Sequence, residues 1–441
     1  MCENNQSPGP KPIAPQGTPT IPPAQPSLWQ LLRTPWAPWF RRVAMFLAGQ
    51  WISMLGSAMV QFAIIFHITL AERSGTVMFI AALCNFLPQV LVSPMAGVWA
   101  DRYDRKRLII LADSGIALAT LLIAVLFLLE QASLWMVLAL SAVRAIGSGV
   151  QSPAVSALLP QLVPEEHLLR VNGANGSMQS LILLLCPALG GWLLAMGPLA
   201  AVLMLDVVTA ATGIALLLAV PVPRPAHQDA PSRPAPWYDL AEGLRYALRT
   251  PFVRVLLLFY AAYMFLMAPA AQLTPLLVTR TFGGGEWNLA LNEIFFSGGS
   301  LLGGLVIMLW GGFKNKVHTM GAASALMGAF VLALGLPVHF TLYLAFMLLC
   351  GISSGGLNAP AITLLQEHVR PDMMGRVFSL VSMIATLCLP VGMAVFGPLA
   401  DVVPVQTLLL FTGAAMVLTG GLMAASRTLR EAAAQPNGTG A

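Results

Sequence analysis

Residues Gly147-Ser-Gly-Val-Gln-Ser-Pro-Ala-Val-Ser-Ala-Leu158 return 207 positions later as Ser354-Gly-Gly-Leu-Asn-Ala-Pro-Ala-Ile-Thr-Leu-Leu365. The same offset pairs Pro153 with Pro360, Pro164 with Pro371 and Glu165 with Asp372. Trp99 and Trp310 also hold matching places, each at the end of an apolar run. Small residues, one proline and a single carboxamide recur in order within otherwise apolar sequence. The chain therefore consists of two related halves. Parallel repeats of this kind build transporters that hold cargo between the halves near the bilayer midplane.

The medium around those halves follows from composition. Of 441 residues, 57% are hydrophobic and 9% charged, with a mean hydropathy of +0.77. A soluble domain carries about 25% charged residues, because a solvated surface needs them. A chain this apolar has no polar skin, so lipid is its solvent. A span takes about 20 apolar residues, and twelve such runs are present: 43–70, 76–100, 108–129, 134–160, 173–196 and 198–220, then 252–279, 288–312, 317–336, 340–366, 375–399 and 404–426. Backbone groups in lipid find partners only within a helix or a closed barrel. The expected fold is an all-α membrane protein, twelve transmembrane helices in two six-helix pseudo-symmetric bundles.

The flanking segments complete the organisation. Residues 1–40 form a Pro-rich tail, with ten prolines in the first 38 residues. It has little to bury and is expected to be disordered. No cleavable signal peptide is visible in these residues, so the first span is expected to act as an uncleaved insertion signal. Residues 41–220 make the first bundle, 221–251 a linker, 252–426 the second bundle and 427–441 a tail. Within the linker, Trp237, Leu240, Leu244 and Leu248 keep a helical spacing opposite Asp239, Glu242, Arg245 and Arg249. That pattern predicts an amphipathic helix at the membrane surface.

Charge fixes the expected orientation. Twenty of the 23 Lys and Arg lie in the tails and alternate loops, against only Arg73 and Arg280 on the other side. Bases concentrate on the cytoplasmic face, so both termini are expected there, in a bacterial inner membrane. The net charge of +5 is confined to short loops and does not indicate nucleic acid. Cys84, Cys186, Cys350 and Cys388 lie in apolar runs and Cys2 in the tail, without metal-ligand spacing.

The loop Gly97-Val-Trp-Ala-Asp101-Arg102-Tyr-Asp104-Arg105-Lys106-Arg107 resembles the signature between the second and third helices of the major facilitator superfamily. Residues 40 to 426 are similar to the branch of that family holding macrolide-efflux proteins and the enterobactin exporter. Leu158-Leu-Pro-Gln-Leu-Val-Pro-Glu-Glu166, Gly243-Leu-Arg-Tyr246 and Trp310-Gly-Gly-Phe-Lys-Asn-Lys316 carry that likeness. The loop implies a gate: Gly97 for close helix approach, Asp101 for helix-terminal amides, and Arg102, Arg105 and Lys106 for acids on neighbouring helices. The opposing reading is that these bases only set topology. The corresponding acid position in the second half is Gly312, so the two halves need not gate alike.

Arg144 lies ten residues into span 4, where a guanidinium is costly and indicates function. Arg144-Ala-Ile-Gly147-Ser-Gly149 resembles the family's fourth-helix Arg motif, linked to proton coupling, with its glycine one residue early. The alternative is a static pair with Asp113 or Asp206. Asp113 in turn is expected to pair with Arg102, Arg105 or Arg170, and Glu293 to be a solvated cap near the outer face. Pro187, Gly190 and Gly191 resemble the end of the family's exporter motif; Pro187 bends a helix and the glycines pack closely. Gly298, Gly299, Gly303 and Gly304 form a small-residue face on span 8. The resemblance implies a cavity walled by spans 1, 4, 7 and 10, whose polar and aromatic residues include Gln50, Gln61, Ser141, Gln151, Tyr260, Tyr263, Gln272 and Asn358, with Met264 and Met267 adding adaptability. This mostly apolar set suits a bulky amphipathic cargo.

No P-loop, dinucleotide fingerprint, HExxH or hydrolase triad occurs, so no enzyme and no cofactor is expected. The leading reading is a monomeric, proton-coupled exporter of lipophilic small molecules (a drug, a macrolide-like compound or a siderophore), in contact with protons and membrane lipid. Import or flipping of a metabolite or lipid is the alternative. A transport-dead receptor or assembly protein is the remote one.

Overall fold

A run of apolar residues placed in lipid closes every backbone hydrogen bond inside its own helix, and this chain does so twelve times. The computed structural model describes residues 38–222, 236–283, 285–370 and 373–434. The spans run Trp39–Glu72, Gly75–Gly97, Arg105–Leu128, Leu134–Leu162, Glu165–Met196 and Leu199–Ala219, then Pro251–Thr281, Glu286–Trp310, Lys316–Leu334, Phe340–His368, Met374–Val402 and Val405–Ala425. No strand occurs among the described residues. The chain is a multi-pass membrane protein with twelve spans among the described residues.

The repeat read in the sequence is a repeat of contacts. Span 2 packs on span 4, span 3 on span 6 and span 1 on span 5; likewise span 8 packs on span 10, span 9 on span 12 and span 7 on span 11. Between the halves, span 2 meets span 11 and span 5 meets span 8. Glycines set the closest approaches. A methyl group added at Gly213 of span 6 would lie 2.8 Å from the Gly49 oxygen of span 1. One added at Gly413 of span 12 would lie 2.7 Å from the Gly328 oxygen of span 9. In lipid no hydrophobic force draws helices together, so such fitted contacts carry much of the packing.

Several boundaries differ from expectation. Span 5 begins at Glu165 rather than 173, because a 3-10 turn, Glu165–His167, runs straight into its helix. Span 7 is two helices, Pro251–Gln272 and Thr274–Thr281, joined at Leu273 (ψ −4°), with Pro269 before the break and Pro275 after it. The linker helix is present as Pro236–Arg249. Its Glu242 pairs with Arg376 of span 11 at 3.2 Å, and Leu244 and Leu248 stay exposed. The side chains of Trp237 and Leu240, and residues 1–37 of the Pro-rich tail, lie outside the described residues. The C-terminal tail starts as a helix, Arg427–Ala434. The Ala432 oxygen lies 2.8 Å from His368 Nε2.

Gly413→Val should lower the thermal midpoint of the purified protein, since overpacking costs about 1–3 kcal/mol. Gly421→Val, on the open side of the same helix, meets nothing within 4 Å and should leave the midpoint unchanged or slightly raised, since Val is the better helix former. Equal melting of the two variants would contradict this packing.

Candidate functional site

Three helices of the first half carry polar residues two turns apart: Gln50 and Ser57 on span 1, Asp113 and Thr120 on span 3, Arg144 and Gln151 on span 4. Seven residues rise about 10 Å, so these pairs stack into two polar layers inside an apolar bundle. Span 6 adds Asp206 to one layer.

In the first layer the Arg144 guanidinium donates through Nη1 to Asp206 Oδ2 at 2.5 Å and to Thr120 Oγ1 at 3.0 Å. Through Nη2 it donates to the Ser57 backbone oxygen at 3.0 Å. Ser57 Oγ donates to Asp206 Oδ1 at 3.2 Å. Arg144 and Asp206 are 6% and 1% exposed, so each neutralises a charge that lipid would not tolerate. Of the two partners open in the sequence, the structure selects Asp206.

The second layer carries a carboxylate with no cation. Asp113, 3% exposed, accepts from Gln151 Nε2 at 2.7 Å. It pairs with neither Arg105 nor Arg170, contrary to expectation, because it points into the bundle towards Gln151 while those bases sit near helix ends; the side chain of Arg102 lies outside the described residues. Its Oδ2 and the neighbouring Gln50 Nε2 are both buried without a hydrogen-bond partner. Gln50 and Gln151, expected on a cavity wall, belong to this layer; they lie 3.5 Å apart at Oε1 and Nε2.

Two bases of the expected gating loop anchor neighbouring helices. Arg105 donates to the Ala100 and Ala157 oxygens at 2.9 and 2.8 Å, tying span 3 to the ends of spans 2 and 4. Lys106 Nζ reaches the Leu218 and Val220 oxygens at the end of span 6, at 3.0 and 2.7 Å. Both bases thus hold carbonyls near helix ends, which carry partial negative charge. Gly97 has no close neighbour: a methyl there would meet nothing within 4 Å. The side chains of Asp101 and Arg102 lie outside the described residues.

Other expected residues divide between walls and core. Tyr260 donates to Asn358 at 3.1 Å across spans 7 and 10, and Asn358 is exposed. Tyr263 and Ser141 are buried in the packing of their own halves, not open to a cavity. Gln61 and Gln272 are half-buried. Helix 168–196 continues through Pro187. A methyl on Gly190 would lie 2.9 Å from the Met59 oxygen of span 1, and one on Gly191 2.7 Å from Ala290 Cβ of span 8. The Pro-Gly-Gly segment is thus where span 5 meets both neighbours. On span 8, Gly299 and Gly303 abut span 10, whereas Gly304 meets nothing. Glu293 is no solvated cap: it is half-buried and accepts from Asn292 Nδ2 at 3.1 Å.

The sequence reading missed a clasp between the halves. Asp401, the penultimate residue of span 11, receives the start of span 2: Gly75 N at 2.6 Å, Thr76 N at 2.9 Å, Thr76 Oγ1 at 2.6 Å and Ser74 Oγ at 2.9 Å. Free amides and the helix dipole both favour an acid there. Arg280 of span 7 completes it, donating to Asp401 Oδ1 at 3.2 Å, to Ala400 O at 2.6 Å and to Arg73 O at 2.6 Å. Arg73 takes a left-handed φ of 49° to turn that oxygen. The available signal was charge: Arg73 and Arg280 are the only bases on the base-poor side, and the 207-residue offset relates them.

The clasp shows which end is shut. The hydrogen bonds by which Asp401 and Arg280 join spans 7–12 to the start of span 2 all lie at the base-poor end. The Gly191–Ala290 approach and the Gly397–Phe79 approach, 2.7 Å for an added methyl, lie there too. At the base-rich end, glycines on all four seam helices (Gly97, Gly173, Gly304 and Gly375) face nothing within 4 Å. The halves close at one end and part at the other.

Residues 43–393 match the family model described as Major Facilitator Superfamily. The chain is 32% identical over 375 residues to Macrolide efflux protein A of Streptococcus pyogenes, covering 84% of this chain and 92% of that protein. It is 31% identical over 314 residues to a Macrolide efflux protein A of Enterococcus faecalis, covering 71% and 97%. Among solved structures, the nucleoside transporter NupG superposes with a TM-score of 0.67 at 15% identity, over 87% of this chain and 98% of that one.

Two outcomes follow from this geometry. Arg144→Met should destabilise by about 3–5 kcal/mol, because it strands a buried Asp206, whereas Arg144→Met with Asp206→Leu should recover most of the loss; thermal melting in detergent reads both. Spin labels at Glu130 and Leu336, in base-poor loops of opposite halves, should report one short distance in the parent and an added longer one in Asp401→Ala. An unchanged distribution would remove the clasp from gating.

Proposed function

The chain belongs to the major facilitator superfamily, and from that premise we propose that it is a proton-coupled exporter of hydrophobic or amphipathic small molecules, drug-like or macrolide-like in kind. Relatives at 31–32% identity across most of their length are named for macrolide efflux, which supports the cargo class and the outward direction. The crevice between the halves of a single chain supports a monomeric unit of transport. The charge bias supports placing the base-rich end and both termini in the cytoplasm of a bacterial cell, with lipid around the spans. On that orientation the structure is open inward and clasped outward.

The observation that carries the coupling is a charge count. One guanidinium and two carboxylates lie within the first bundle, and Asp206 neutralises Arg144. Asp113 is left over, with one oxygen unpartnered. A lone carboxylate in a medium this apolar takes up a proton instead of staying ionised. Arg144 then acts as the fixed counter-charge that holds Asp206, and Asp113 as the group that loads and unloads. Gln151 keeps Asp113 oriented in both protonation states, since its amide donates to Oδ1 and leaves Oδ2 for the proton.

Proton exchange for cargo converts a pH gradient into a cargo gradient. One pH unit is worth 1.36 kcal/mol, about tenfold in accumulation for one proton per cargo. In inverted membrane vesicles the parent should accumulate a lipophilic dye in proportion to the imposed pH difference. Asp113→Asn should move dye only down its own gradient, with the pH dependence gone and binding retained. Undiminished pH-driven accumulation by Asp113→Asn would refute the assignment.

A further inference from the structure

The second bundle also carries an uncompensated acid, in a different setting. Glu293 lies seven residues into span 8, about 10 Å along the helix from its base-poor end. Among the described residues of spans 7–12, Lys and Arg occur only near span ends: Arg254, Arg280, Lys316 and Arg376. Arg280 is committed to the clasp. Glu293 forms no ion pair; its Oε1 accepts from Asn292 Nδ2 at 3.1 Å and its Oε2 takes no hydrogen bond from the described residues.

The donor is itself fixed. Asn292 is fully buried; its Oδ1 accepts from Tyr343 of span 10 at 2.7 Å, and its Nδ2 also lies 3.5 Å from Thr274 Oγ1, the first residue after the break in span 7. Three spans thus cooperate to hold one amide against one carboxylate oxygen. Seven residues on, Ser300 meets Ser354 of span 10 at 3.1 Å, so this stripe of span 8 faces span 10 and not lipid. Lipid instead meets Leu301, Leu305 and Leu309, all exposed. One turn from Glu293, Ala290 meets span 5 where the halves close. The carboxylate thus lies within one helix turn of the contact that closes the halves. Beside its Asn292 support are stacked and tilted rings, Phe282, Phe340 and Tyr343, with centroids 5.2–6.1 Å apart.

Asp113 is sealed between carboxamides, with room for a proton. Glu293 has a free oxygen on a half-buried side chain, a pre-oriented donor behind it and apolar and aromatic surroundings. An unpaired acid in that setting completes its charge with a cation that arrives on the cargo. We propose that Glu293 is a specificity-determining residue that receives the cationic nitrogen or phosphorus centre of lipophilic cargo, with Asn292 as its positioning residue. This rests on the transporter reading above and narrows it: cationic amphiphiles are held more tightly than neutral lipophiles of similar size.

Binding to purified protein in lipid nanodiscs tests this apart from transport. Two probes are used: tetraphenylphosphonium, a permanent cation that carries no proton, and the neutral dye Nile red. Glu293→Gln should weaken tetraphenylphosphonium binding about tenfold, equivalent to 1.4 kcal/mol, and leave Nile red binding unchanged. Glu293→Asp should fall between parent and Gln variant. Asn292→Ala should weaken the cation less than Glu293→Gln does. Retained Nile red binding also certifies a folded pocket. Equal loss of both probes makes Glu293 a packing residue and overturns the proposal, as does an unchanged cation affinity or a parent that binds no cation. Glu293-dependent cation binding with no pH-driven vesicle uptake would sink the export reading and leave this assignment standing.

Discussion

A charge inside a lipid-embedded bundle must find its opposite within the protein or on something that passes through it. That constraint explains where this chain places its few interior ionisable groups. Arg144 and Asp206 satisfy each other and take their remaining hydrogen bonds from Thr120 and Ser57. Asp113 and Glu293 have no such partner. In the proposed mechanism, the asymmetry between the satisfied pair and the two surplus acids separates what holds the bundle together from what exchanges with cargo and protons.

The same economy appears at the seam. Spans 2, 5, 8 and 11 carry glycine or alanine where the halves touch and glycine where they part. One end is held by an aspartate on a helix start, reinforced by an arginine. These contacts are polar, few and partly exposed, with Arg280 and Asp401 at 33% and 29%. Exposed ion pairs contribute at most about 1 kcal/mol. A clasp of that strength closes one end without trapping the molecule, as alternation between two closed ends requires. The extensive packing within each half, by contrast, makes each bundle a unit of its own.

Much of this was legible in the residues. Twelve apolar runs, the 207-residue repeat and the charge bias specify two six-helix bundles, because each reflects a requirement of lipid that no tertiary detail overrides. Arg144 was legible for the same reason. Its partner was not, since Asp113 and Asp206 are both within reach of span 4 by sequence, and only helix rotation decides between them. The i, i+7 pairs 50/57, 113/120 and 144/151 were the missed signal for the two polar layers. Glu293 misled because proximity to a helix start suggests a solvated acid, whereas Asn292 and Tyr343 draw it into span packing. Asp401 was unreadable for another reason: its partner is the start of span 2, more than three hundred residues away, and nothing local to either segment announces the meeting.

The central claim is that an unpaired interior carboxyl carries a proton which cargo binding displaces. Proton release answers this directly. Purified protein in weakly buffered detergent is mixed with a non-titrating lipophilic cargo, and the pH of the solution is followed with an indicator dye. Release of protons on binding, abolished when Asp113 is replaced by Asn, is the result this account predicts. Saturable cargo binding with no change in solution pH would contradict it.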